Sequence, residues 1–445
     1  MSSFRKWCWC SLLLLSVQMK SLAQQKTLNL QTAVETAIKN NLDVKQSGLQ
    51  QEIADANLRQ ARAGLLPTLN GEIDHTWNKG RSLDFSNNYI NQENTTAFYT
   101  IDANLTLFNG LRLMNTLKSN QYAFEASRME WQQSKDKVML DVILAYLDIL
   151  TNTDLLATAY SQADVTQKQI DRLEAMNKEG AIKPSDLFDL RGQLGESKLA
   201  IINNQNNLNA AKLRLAQLMA VPYEANMEVE RLTADQFDLN YAATVDSIYE
   251  VALQQLPLVK GTELRKKSAE KSVLAAKGGL FPSVGLGAGY NTQYFSTATD
   301  SASNKIPYGR QLSNNYNTYA GLGIRVPILN GWRARTQVTL AKISLKNAEF
   351  IQENTQIQLK QAIERDHLNM EAALSRYHAL IDQVSALTES FRAAEIRFNN
   401  GVGTSIDYLT VKSILDRANA NLIIARYDYV LRTKILDYYQ AKPLW

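Results

Sequence analysis

Cysteine is almost absent from this chain of 445 residues, which contains only Cys8 and Cys10. Both lie within residues 1–23, which have the pattern of a secretory signal peptide: a basic start, an apolar run too short to span a bilayer as a helix, and small residues before Gln24. We expect cleavage before Gln24. The mature chain then contains no cysteine, which excludes a disulfide, a thiolate nucleophile and a cysteine-ligated metal.

An excess of charge of one sign is also absent. The formal net charge is +4, and the predicted signal peptide contains Arg5, Lys6 and Lys20 but no acid, which leaves 45 basic and 44 acidic residues. A chain this close to neutral has no broad basic surface. We therefore do not expect a nucleic-acid partner.

Histidine is scarce, and the three histidines are too scattered for a catalytic triad or a zinc site. Glu364, His367 and Glu371 share one predicted helix face, like half of a carboxylate-bridged metal site. Such a site needs a second Glu-x-x-His helix, and the other occurrence, Glu72–His75, lies on a predicted strand. A solvated face or a helix–helix hydrogen bond is the better interpretation, and we predict no metal site.

A run of alternating glycines resembles part of a dinucleotide-binding motif. Gly285, Gly287 and Gly289 lie inside a predicted strand, whereas that motif must open a helix. Small residues that face a lumen explain the run better. We predict no cofactor and no enzyme activity.

Glycine and proline are absent from two stretches of equal length, Leu111–Glu179 and Trp332–Asn400. Because both helix breakers are missing, each stretch is predicted to be one continuous helix, about 100 Å long. Helices of this length need an elongated architecture. Apolar residues in steps of four and three predict coiled-coil packing of the second helix. They are Leu380, Val384, Leu387, Phe391, Ala394 and Phe398.

The two stretches belong to a tandem repeat. Positions before the predicted strands recur at one fixed spacing, and positions from the long stretches onward recur at a slightly wider fixed spacing. We interpret residues 24–223 and 241–445 as two copies of one unit, joined by a linker at 224–240. Examples at the narrower spacing are Val44, Gly64 and Pro67, which recur as Val259, Gly279 and Pro282. Examples at the wider spacing are Asn109-Gly110, Gly180 and Asp186, which recur as Asn330-Gly331, Gly401 and Asp407.

Each copy reads helix, strand, loop, strand, long helix, turn and shorter helix. The first helices are predicted at Leu30–Ala63 and Thr244–Lys277, the second with a kink at Pro257. The shorter helices are predicted at Ser185–Val221 and Ser405–Ala441.

Four segments alternate apolar and polar residues with period two, which predicts strands of about ten residues. This is the length of a tilted strand that crosses a bilayer. Between the strands, residues 78–97 and 297–315 are polar and are predicted to be solvated loops. The predicted strands are residues 68–77, 99–108, 283–290 and 320–328.

The apolar face of the strands is predicted to contact lipid. Aromatic residues fall near one end of the strands, as in a membrane protein's aromatic belt. These are Trp77, Tyr99, Tyr294 and Tyr316. The predicted lipid-facing residues are Tyr99, Ile101, Ala103, Leu105, Leu107, Leu286, Leu322 and Ile324.

Four strands cannot close a barrel, and an open sheet edge is not viable in lipid. The predicted barrel must therefore be shared between several chains. A small soluble sheet would need another layer to cover its apolar face. The neighbouring helices cannot provide that layer, because they are predicted to pack in coiled coils. The remaining alternative is a periplasmic rod or adhesin, and the predicted strands argue against it.

This order of elements resembles the TolC family of outer-membrane efflux proteins over essentially the whole mature chain. The turns at residues 177–187 and 397–409 are similar to the family's tip pattern, in which a glycine is followed by an Asp as Gly180 is by Asp186. The resemblance implies a mostly α fold with a membrane β-barrel. A homotrimer would form a twelve-stranded barrel in the outer membrane and a hollow helical cylinder in the periplasm.

The resemblance also implies partners and a function. A periplasmic adaptor protein and an inner-membrane pump would deliver substrates to this duct, which conducts solutes and catalyses no reaction. Efflux and type I protein secretion both remain open, as does the substrate.

Two groups of site residues follow from the resemblance. Asp407 and Asp186 are predicted to form an acidic constriction at the periplasmic entrance, where three copies of each would attract cations. The alternative is that each Asp only stabilises the start of its helix. The hairpin tips are predicted to dock the adaptor through Gly180, Ala181, Ile182, Gly401, Val402 and Gly403.

The chain departs from the family pattern at the entrance. In some members an Arg and a Tyr of the second turn bond to the Asp of the first turn, but Gly403 and Phe398 stand at those positions here. The family's second acidic position at the constriction lies three residues after Asp407, and this chain has Thr410 there. We expect other contacts to hold the entrance shut.

Overall fold

The structure is a computed structural model that describes residues 27–83, 86–179, 183–231 and 241–444. The predicted signal peptide at 1–23, residues 180–182 of the first turn and residues 232–240 of the predicted linker lie outside the described residues. The described chain is mostly helical and contains one four-stranded antiparallel sheet.

The elements follow the predicted order. They are α1 (Leu30–Asn40), α2 (Leu42–Ala63), β1 (Thr68–Leu83), β2 (Tyr89–Phe108), α3 (Arg112–Lys178), α4 (Pro184–Met219), α5 (Val245–Gln255), α6 (Pro257–Gly278), β3 (Ser283–Phe295), α7 (Tyr308–Asn314), β4 (Asn317–Arg325), α8 (Arg333–Asn399) and α9 (Ser405–Tyr439).

The chain forms two compact units. The first, here called the helical unit, comprises the residues up to Leu42 with Lys135–Val245 and Glu364–Trp445. The second, the sheet unit, comprises Asp43–Ser134 and Asp246–Ile363. All four strands lie in the sheet unit, and the C-terminal ends of both long helices lie in the helical unit.

The prediction of two uninterrupted helices is confirmed, because α3 and α8 each contain 67 residues. Each follows a turn in which two consecutive residues have positive φ: Gly110 and Leu111 in one repeat, Gly331 and Trp332 in the other. At Gly110 a Cβ atom would lie 2.4 Å from the carbonyl oxygen of Gly278. Only glycine permits this approach of two backbones.

The first helix of each repeat is interrupted. The single helix predicted at Leu30–Ala63 is wrong, because Asn41 separates α1 from α2 with φ −57° and ψ 132°. The kink predicted at Pro257 is a complete break, since Leu256 has φ −66° and ψ 131°. The proline ring excludes the helical conformation from the residue before it, yet it fits the first position of α6.

The first two strands are longer than predicted. β1 contains 16 residues and β2 contains 20, and they pair from Thr68 with Asn104 to Leu83 with Tyr89. The solvated loop predicted at 78–97 is therefore wrong, because most of it continues the two strands as a hairpin. Polar side chains on both faces do not prevent pairing where both faces meet water.

The second predicted loop, at 297–315, is also wrong because it contains α7. The side chain of Gln311 accepts a hydrogen bond from the Phe295 amide at 2.9 Å and donates one to the Phe295 carbonyl oxygen at 3.0 Å. These bonds replace a strand partner at the end of β3, which β4 accompanies only as far as Asn291. β4 ends at Arg325, short of the predicted residue 328, and Pro327 cannot donate to a strand ladder.

The helical unit has its own apolar core. Val142, Ile143 and Leu150 of α3 are buried, and this helix is the one helix of the described chain that is apolar and long enough to cross a membrane. Half of its most apolar 18-residue segment is buried inside the structure, as in a core helix. Tyr146 lies in the same stretch, and its hydroxyl lies 3.0 Å from the Leu28 carbonyl oxygen and 2.7 Å from that of Glu230.

Candidate functional site

The turn after α8 is built by a glycine. Gly401 has φ +71°, its amide donates to the Phe398 carbonyl oxygen, and the amide of Val402 donates to the Arg397 carbonyl oxygen at 3.0 Å. This pair of bonds is a Schellman motif, which ends a helix with a left-handed residue. Val402 follows the turn with 80% of its surface exposed. A Cβ at Gly403 would lie 3.3 Å from the Phe398 amide nitrogen, so the turn is also tight there.

The equivalent turn after α3 includes Gly180, Ala181 and Ile182, which lie outside the described residues. The returning helix α4 starts at Pro184, one residue before the predicted start at Ser185. Lys183 occupies its N-cap position and provides no side-chain hydrogen bond to the helix.

The two hairpins share an apolar core within the helical unit. It contains residues from the end of α3, the start of α4, the end of α8 and the start of α9. Phe398 stacks on Tyr408 with ring centroids 5.0 Å apart, so the residue at the family's tyrosine position is a core residue here. The buried members of this tip core are Ile170, Leu173, Leu187, Leu190, Phe398 and Tyr408.

Asp407 closes a capping box at the start of α9. The Thr404 hydroxyl accepts a hydrogen bond from the Asp407 amide at 3.1 Å, and the Asp407 carboxylate accepts from the Thr404 amide and hydroxyl. Its side chain therefore satisfies donors at its own helix end. The residue remains exposed, so the geometry fits the helix-end interpretation and also leaves the carboxylate in contact with solvent.

Asp186 stands at the same position of α4 but has a different partner. Its Oδ1 atom lies 2.8 Å from the hydroxyl of the buried Ser405, the first residue of α9. Asp189 Oδ2 lies at the same distance from that hydroxyl. Because Lys183 supplies no hydroxyl for a capping box, the Asp186 carboxylate is available to the neighbouring hairpin.

Further contacts join the two hairpins. Gln169 donates to the Asn399 side chain at 2.7 Å, and Arg172 donates to the Asn399 carbonyl oxygen at 3.3 Å. A cavity of about 230 Å³ lies beside these contacts, with Lys183 and Gly401 in its lining. The Ser405, Gln169 and Arg172 bonds join the two hairpins close to Phe398 and Gly403, where some family members have Tyr and Arg.

Tyr408 carries a hydroxyl that finds no hydrogen-bond partner among the described residues. The residue is 1% exposed, and burial, followed by the charges of Glu395 and Asp416, raises its pKa to about 12. The equivalent position in the first repeat holds Leu187, which is buried in the same core. An apolar side chain therefore fits one copy of the position, while the other copy holds a polar group without a partner.

Sequence reasoning did not find Ser405 or Asp189. A serine at the start of a helix looks like an ordinary cap residue, and the contact to Asp186 joins positions 219 residues apart. The one available signal was the missing cap residue at Lys183, which leaves the Asp186 carboxylate without a local donor.

The register places the predicted lipid-facing residues in rows on one face of the sheet. Ala103 pairs with Leu69 and Ala288, and Leu286 pairs with Leu105 and Leu322. Ile101 and Tyr99 continue the face toward the β1–β2 turn. The register shifts between Thr106 and Phe108, so Phe108, not Leu107, pairs with Val284 in the row of Ile324.

The opposite face is polar and lined by glycine. Asn104 lies between Thr68 and Gly287, and Asp102 lies between Asn70 and Gly289. The Tyr319 hydroxyl reaches over Gly289 and donates to Asp102 at 2.6 Å. A Cβ at Gly289 would lie 2.5 Å from the Tyr319 ring, so glycine is required at this crossing.

The aromatic residues predicted to form a belt cluster on the apolar face. Tyr290 stacks on Tyr316, and Tyr294 contacts Tyr308 of α7 with ring centroids 4.5 Å apart. The hydroxyls of Tyr99 and Tyr308 form a hydrogen bond. Trp77 lies on the same face of β1.

The histidine group on α8 contacts the segment before α5 and a neighbour on its own helix. His367 Nε2 lies 3.2 Å from the Ala243 carbonyl oxygen, and Nδ1 lies 3.7 Å from Glu371. Ala243 lies just before α5, so this hydrogen bond joins α8 to a connecting segment and is not the helix–helix hydrogen bond expected as one alternative to a metal site. Within the described residues, no group of three or more His, Cys, Asp and Glu side chains has an arrangement that could hold a metal ion.

Comparison with known families decides which class of protein has these strands and hairpins. A family model described as "Outer membrane efflux protein" matches the chain twice, over residues 33–221 and 248–436. The chain belongs to the outer membrane efflux protein family. Members of this family are outer-membrane efflux channels, which gives this chain its location and its general function.

Individual relatives have the same character. This efflux protein is 23% identical to the outer membrane protein TolC of Escherichia coli (strain K12) over 405 residues, which is 91% of this chain and 80% of TolC. It is 22% identical to the cation efflux system protein CusC of Escherichia coli O157:H7 over 371 residues, 80% of this chain and 72% of CusC. The crystal structure of the outer membrane protein VceC from Vibrio cholerae has the same fold, with a TM-score of 0.79, 16% identity and coverage of 94% of this chain and 97% of VceC.

Proposed function

We propose that this efflux protein is the homotrimeric exit duct of a tripartite efflux or type I secretion system. Three copies of the sheet form a twelve-stranded barrel in the outer membrane. The helical portion lies in the periplasm and receives substrate from a periplasmic adaptor and an inner-membrane pump. Each chain is a tandem repeat of residues 24–223 and 241–445 with a linker at 224–240, which the twofold match to the family model supports.

The observation that carries the trimer is a contact between the repeats inside the sheet unit. The Ser119 hydroxyl on α3 lies 3.0 Å from that of Ser268 on α6. Glu130 on α3 accepts two hydrogen bonds from Arg265 on α6, at 2.8 and 2.7 Å. Here the first repeat's long helix packs on the second repeat's first helix.

Three positions on the complementary pair of surfaces are exposed and apolar. At the wider repeat spacing, the counterparts of Ser119 and Glu130 are Leu340 and Ile351 on α8, which are 51% and 50% exposed. At the narrower spacing, the counterpart of Ser268 is Ile53 on α2, which is 53% exposed. If each repeat packs on the next by the same geometry, α8 of one copy covers α2 of the next copy, and the contact closes as a ring.

The sheet supports the same ring. β1 and β4 are its two edges, and β2 pairs with β3 across the repeat boundary. In the trimer β4 of one copy pairs with β1 of the next copy, which removes every edge from the lipid. The lipid face is Tyr99, Ile101, Ala103, Leu105, Leu107, Leu286, Leu322 and Ile324, with Phe108 added by the register shift.

The hairpin tips are proposed to dock the adaptor. The 80% exposure of Val402 supports this, since an apolar side chain at a turn contributes to a protein interface when it is covered. Gly401 and Gly403 shape that turn, and residues 180–182 are proposed to serve the same purpose in the first repeat. Asp407, with Asp186 nearby, is proposed to line the entrance.

Introduced cysteine pairs test the trimer. Ile53→Cys with Leu340→Cys is expected to form disulfides between chains, so that non-reducing electrophoresis of the outer-membrane fraction shows a three-chain species. The matched control, Ser119→Cys with Ser268→Cys, is expected to form a disulfide within one chain, because these hydroxyls already lie 3.0 Å apart. A control that forms its disulfide while the test pair stays monomeric would contradict the proposed ring.

A planar bilayer recording tests the duct. The cross-linked trimer is expected to conduct ions as a single large channel. A trimer that never conducts would contradict the exit-duct function but would not contradict the proposed trimer.

A further inference from the structure

The end of the β1–β2 hairpin carries basic side chains on the lipid side of the sheet. Side chains alternate along a strand, so Lys79 and Arg81 lie on the same face of β1 as Leu69, Ile73 and Trp77. Lys79 stands opposite Glu93, and Arg81 stands opposite Asn91. This pair of basic residues is here called the basic rim.

The basic rim lies at the height where a bilayer's apolar layer ends. The strand from Leu69 to Lys79 spans about 33 Å. At a tilt of about 40° this is a height of roughly 25 Å, the height of the apolar band on a membrane barrel. Trp77, at the position of an aromatic girdle, comes immediately before it.

Charge is sorted between the two faces of the sheet. From the row of Ile324 to the row of Trp77, the outward positions of the four strands contain no Lys, Arg, Asp or Glu. The acids Glu72, Asp74 and Asp102 all lie on the opposite face. The first charges on the lipid side are therefore those of the hairpin end.

Within the described residues, the acid beside the basic rim does not neutralise both of the rim's cations. Lys79 lies 3.3 Å from Glu93, whose other oxygen accepts a hydrogen bond from the Trp77 indole at 3.1 Å. Arg81 lies over the Tyr89 ring at 4.9 Å and has no ion pair within the described part of the chain. Among the described residues of this hairpin end, two cations stand against one acid on this face, and the side chain of Lys79 is 65% exposed.

We propose that the basic rim binds anionic lipid headgroups in the outer leaflet around the barrel, through their phosphate groups. An ammonium group attracts phosphate as a point charge, and a guanidinium group offers it a fork of donors. The Tyr89 ring holds the Arg81 guanidinium beside the strand. This site rests on the proposed function, because it needs the sheet to lie in a membrane.

Lipid titration of the purified full-length trimer, followed by native mass spectrometry, tests the site. The probe is phosphatidylglycerol, with zwitterionic phosphatidylcholine as reference. Replacing Lys79→Gln and Arg81→Gln together is expected to weaken phosphatidylglycerol binding by roughly tenfold to thirtyfold while phosphatidylcholine binding stays unchanged. The matched control, Lys305→Gln with Arg310→Gln, removes the same charge from the β3–β4 connection and is expected to leave both unchanged.

Three results would overturn the proposal. One is unchanged phosphatidylglycerol binding in the Lys79/Arg81 double variant, and another is an equal loss in the control variant. The third is complete displacement of phosphatidylglycerol by millimolar inorganic phosphate, which would assign the site to free phosphate. Because the mass spectrum counts chains and lipids separately, a failed trimer is distinguished from a trimer that has lost its lipid.

Discussion

Asp186 and Asp407 occupy the same position of two equivalent helices, one in each repeat, yet their carboxylates have different partners. Asp407 caps its own helix through Thr404, whereas Asp186 bonds to Ser405 of the other hairpin. One neighbouring residue makes the difference, because Lys183 replaces the hydroxyl that Thr404 provides. The two hairpins, each within one of the segments that the family model matches, have similar helix starts, and a single different residue accompanies the change from a local contact to a contact between hairpins.

The sheet unit shows the same divergence on a larger scale. The α3–α6 contact inside the chain is polar, with Glu130 and Arg265 exposed by nearly half. Three of its counterparts, Leu340 and Ile351 on α8 and Ile53 on α2, are apolar and exposed, whereas the counterpart of Arg265 is Gln50. A contact that is always present within the chain tolerates polar residues, whereas a contact that has to bring separate chains together gains from the hydrophobic effect.

The strongest test of this difference exchanges the two chemistries. Ile351→Glu is expected to abolish the trimer, because an unpaired charge buried at each of three contacts costs about 3–5 kcal/mol. The reciprocal change, Glu130→Ile, removes only an exposed ion pair worth about 1 kcal/mol or less and is expected to preserve the trimer. Electrophoresis of unheated membrane extracts measures both, and a trimer in the Ile351→Glu variant would contradict the assigned contact.

The next test compares the two faces of the sheet, to which both repeats contribute. Arginine at Ala103 is expected to cost about 2–4 kcal/mol and impair assembly, because this residue lies in an apolar row at mid-strand. Arginine at the adjacent Asn104, whose neighbour Gly287 leaves space, is expected to be tolerated. Yield of folded protein in the outer membrane measures the difference, and equal yields would reverse the proposed orientation of the faces.

Ser405→Ala tests the contact between the hairpins. It leaves the Asp186 and Asp189 carboxylates without their shared donor, at a cost of about 1.5–3 kcal/mol for a hydrogen bond to a charged group. We expect faster amide hydrogen exchange in the first turns of α4 and α9, and a larger resting conductance. Ser405→Thr keeps the hydroxyl and serves as the control; exchange that stays slow in Ser405→Ala would show that Gln169 and Arg172 suffice.

Asp407→Asn separates the pore interpretation from the helix-end interpretation. The loss of half a capping box is expected to lower stability by about 0.5–1 kcal/mol. If Asp407 also lines the entrance, cation selectivity and block by multivalent cations in a bilayer recording decrease as well. Unchanged selectivity with slightly lower thermal stability would restrict Asp407 to its helix.

Tyr408→Phe is the mildest change and removes the hydroxyl that has no partner among the described residues. Because Leu187 fills the equivalent position, we expect a stability within about 1 kcal/mol of the parent at pH 7. The folded state holds the pKa of Tyr408 at about 12 against an ordinary value of 10.0, so its neutral form contributes stability below pH 10 that is lost as the pH rises toward 12. Thermal melts between pH 8 and 12 should show a smaller loss in the variant, and identical slopes would contradict this.

The long elements of the fold could be predicted because their signals are local. The absence of glycine and proline defined α3 and α8 to within one residue at each end, and Gly401 marked a helix end through its left-handed backbone. Period-two alternation identified the apolar rows of the sheet, since it depends only on the strand's own geometry.

The missed features depend on tertiary contacts. Residues 78–97 look like a solvated loop because nothing in their composition reveals pairing, and α7 is stabilised by bonds from Gln311 to a distant strand end. Asparagine at position 41 has no strong breaking tendency, so the interruption of the first helix was invisible. The Ser405 contact with Asp186 needs both hairpins in place before it exists.

Tyr146 has a consequence for the order of events during export. Its hydroxyl meets carbonyl oxygens on both sides of a two-strand bridge, in which Leu28 pairs with Val229. All three positions lie within the first repeat and the segment just after it. A chain that is exported with its N-terminus first can therefore form the Tyr146 hydrogen bonds and this bridge once Glu230 has crossed the inner membrane. These contacts involve no residue of the second repeat, so their formation does not depend on its translocation.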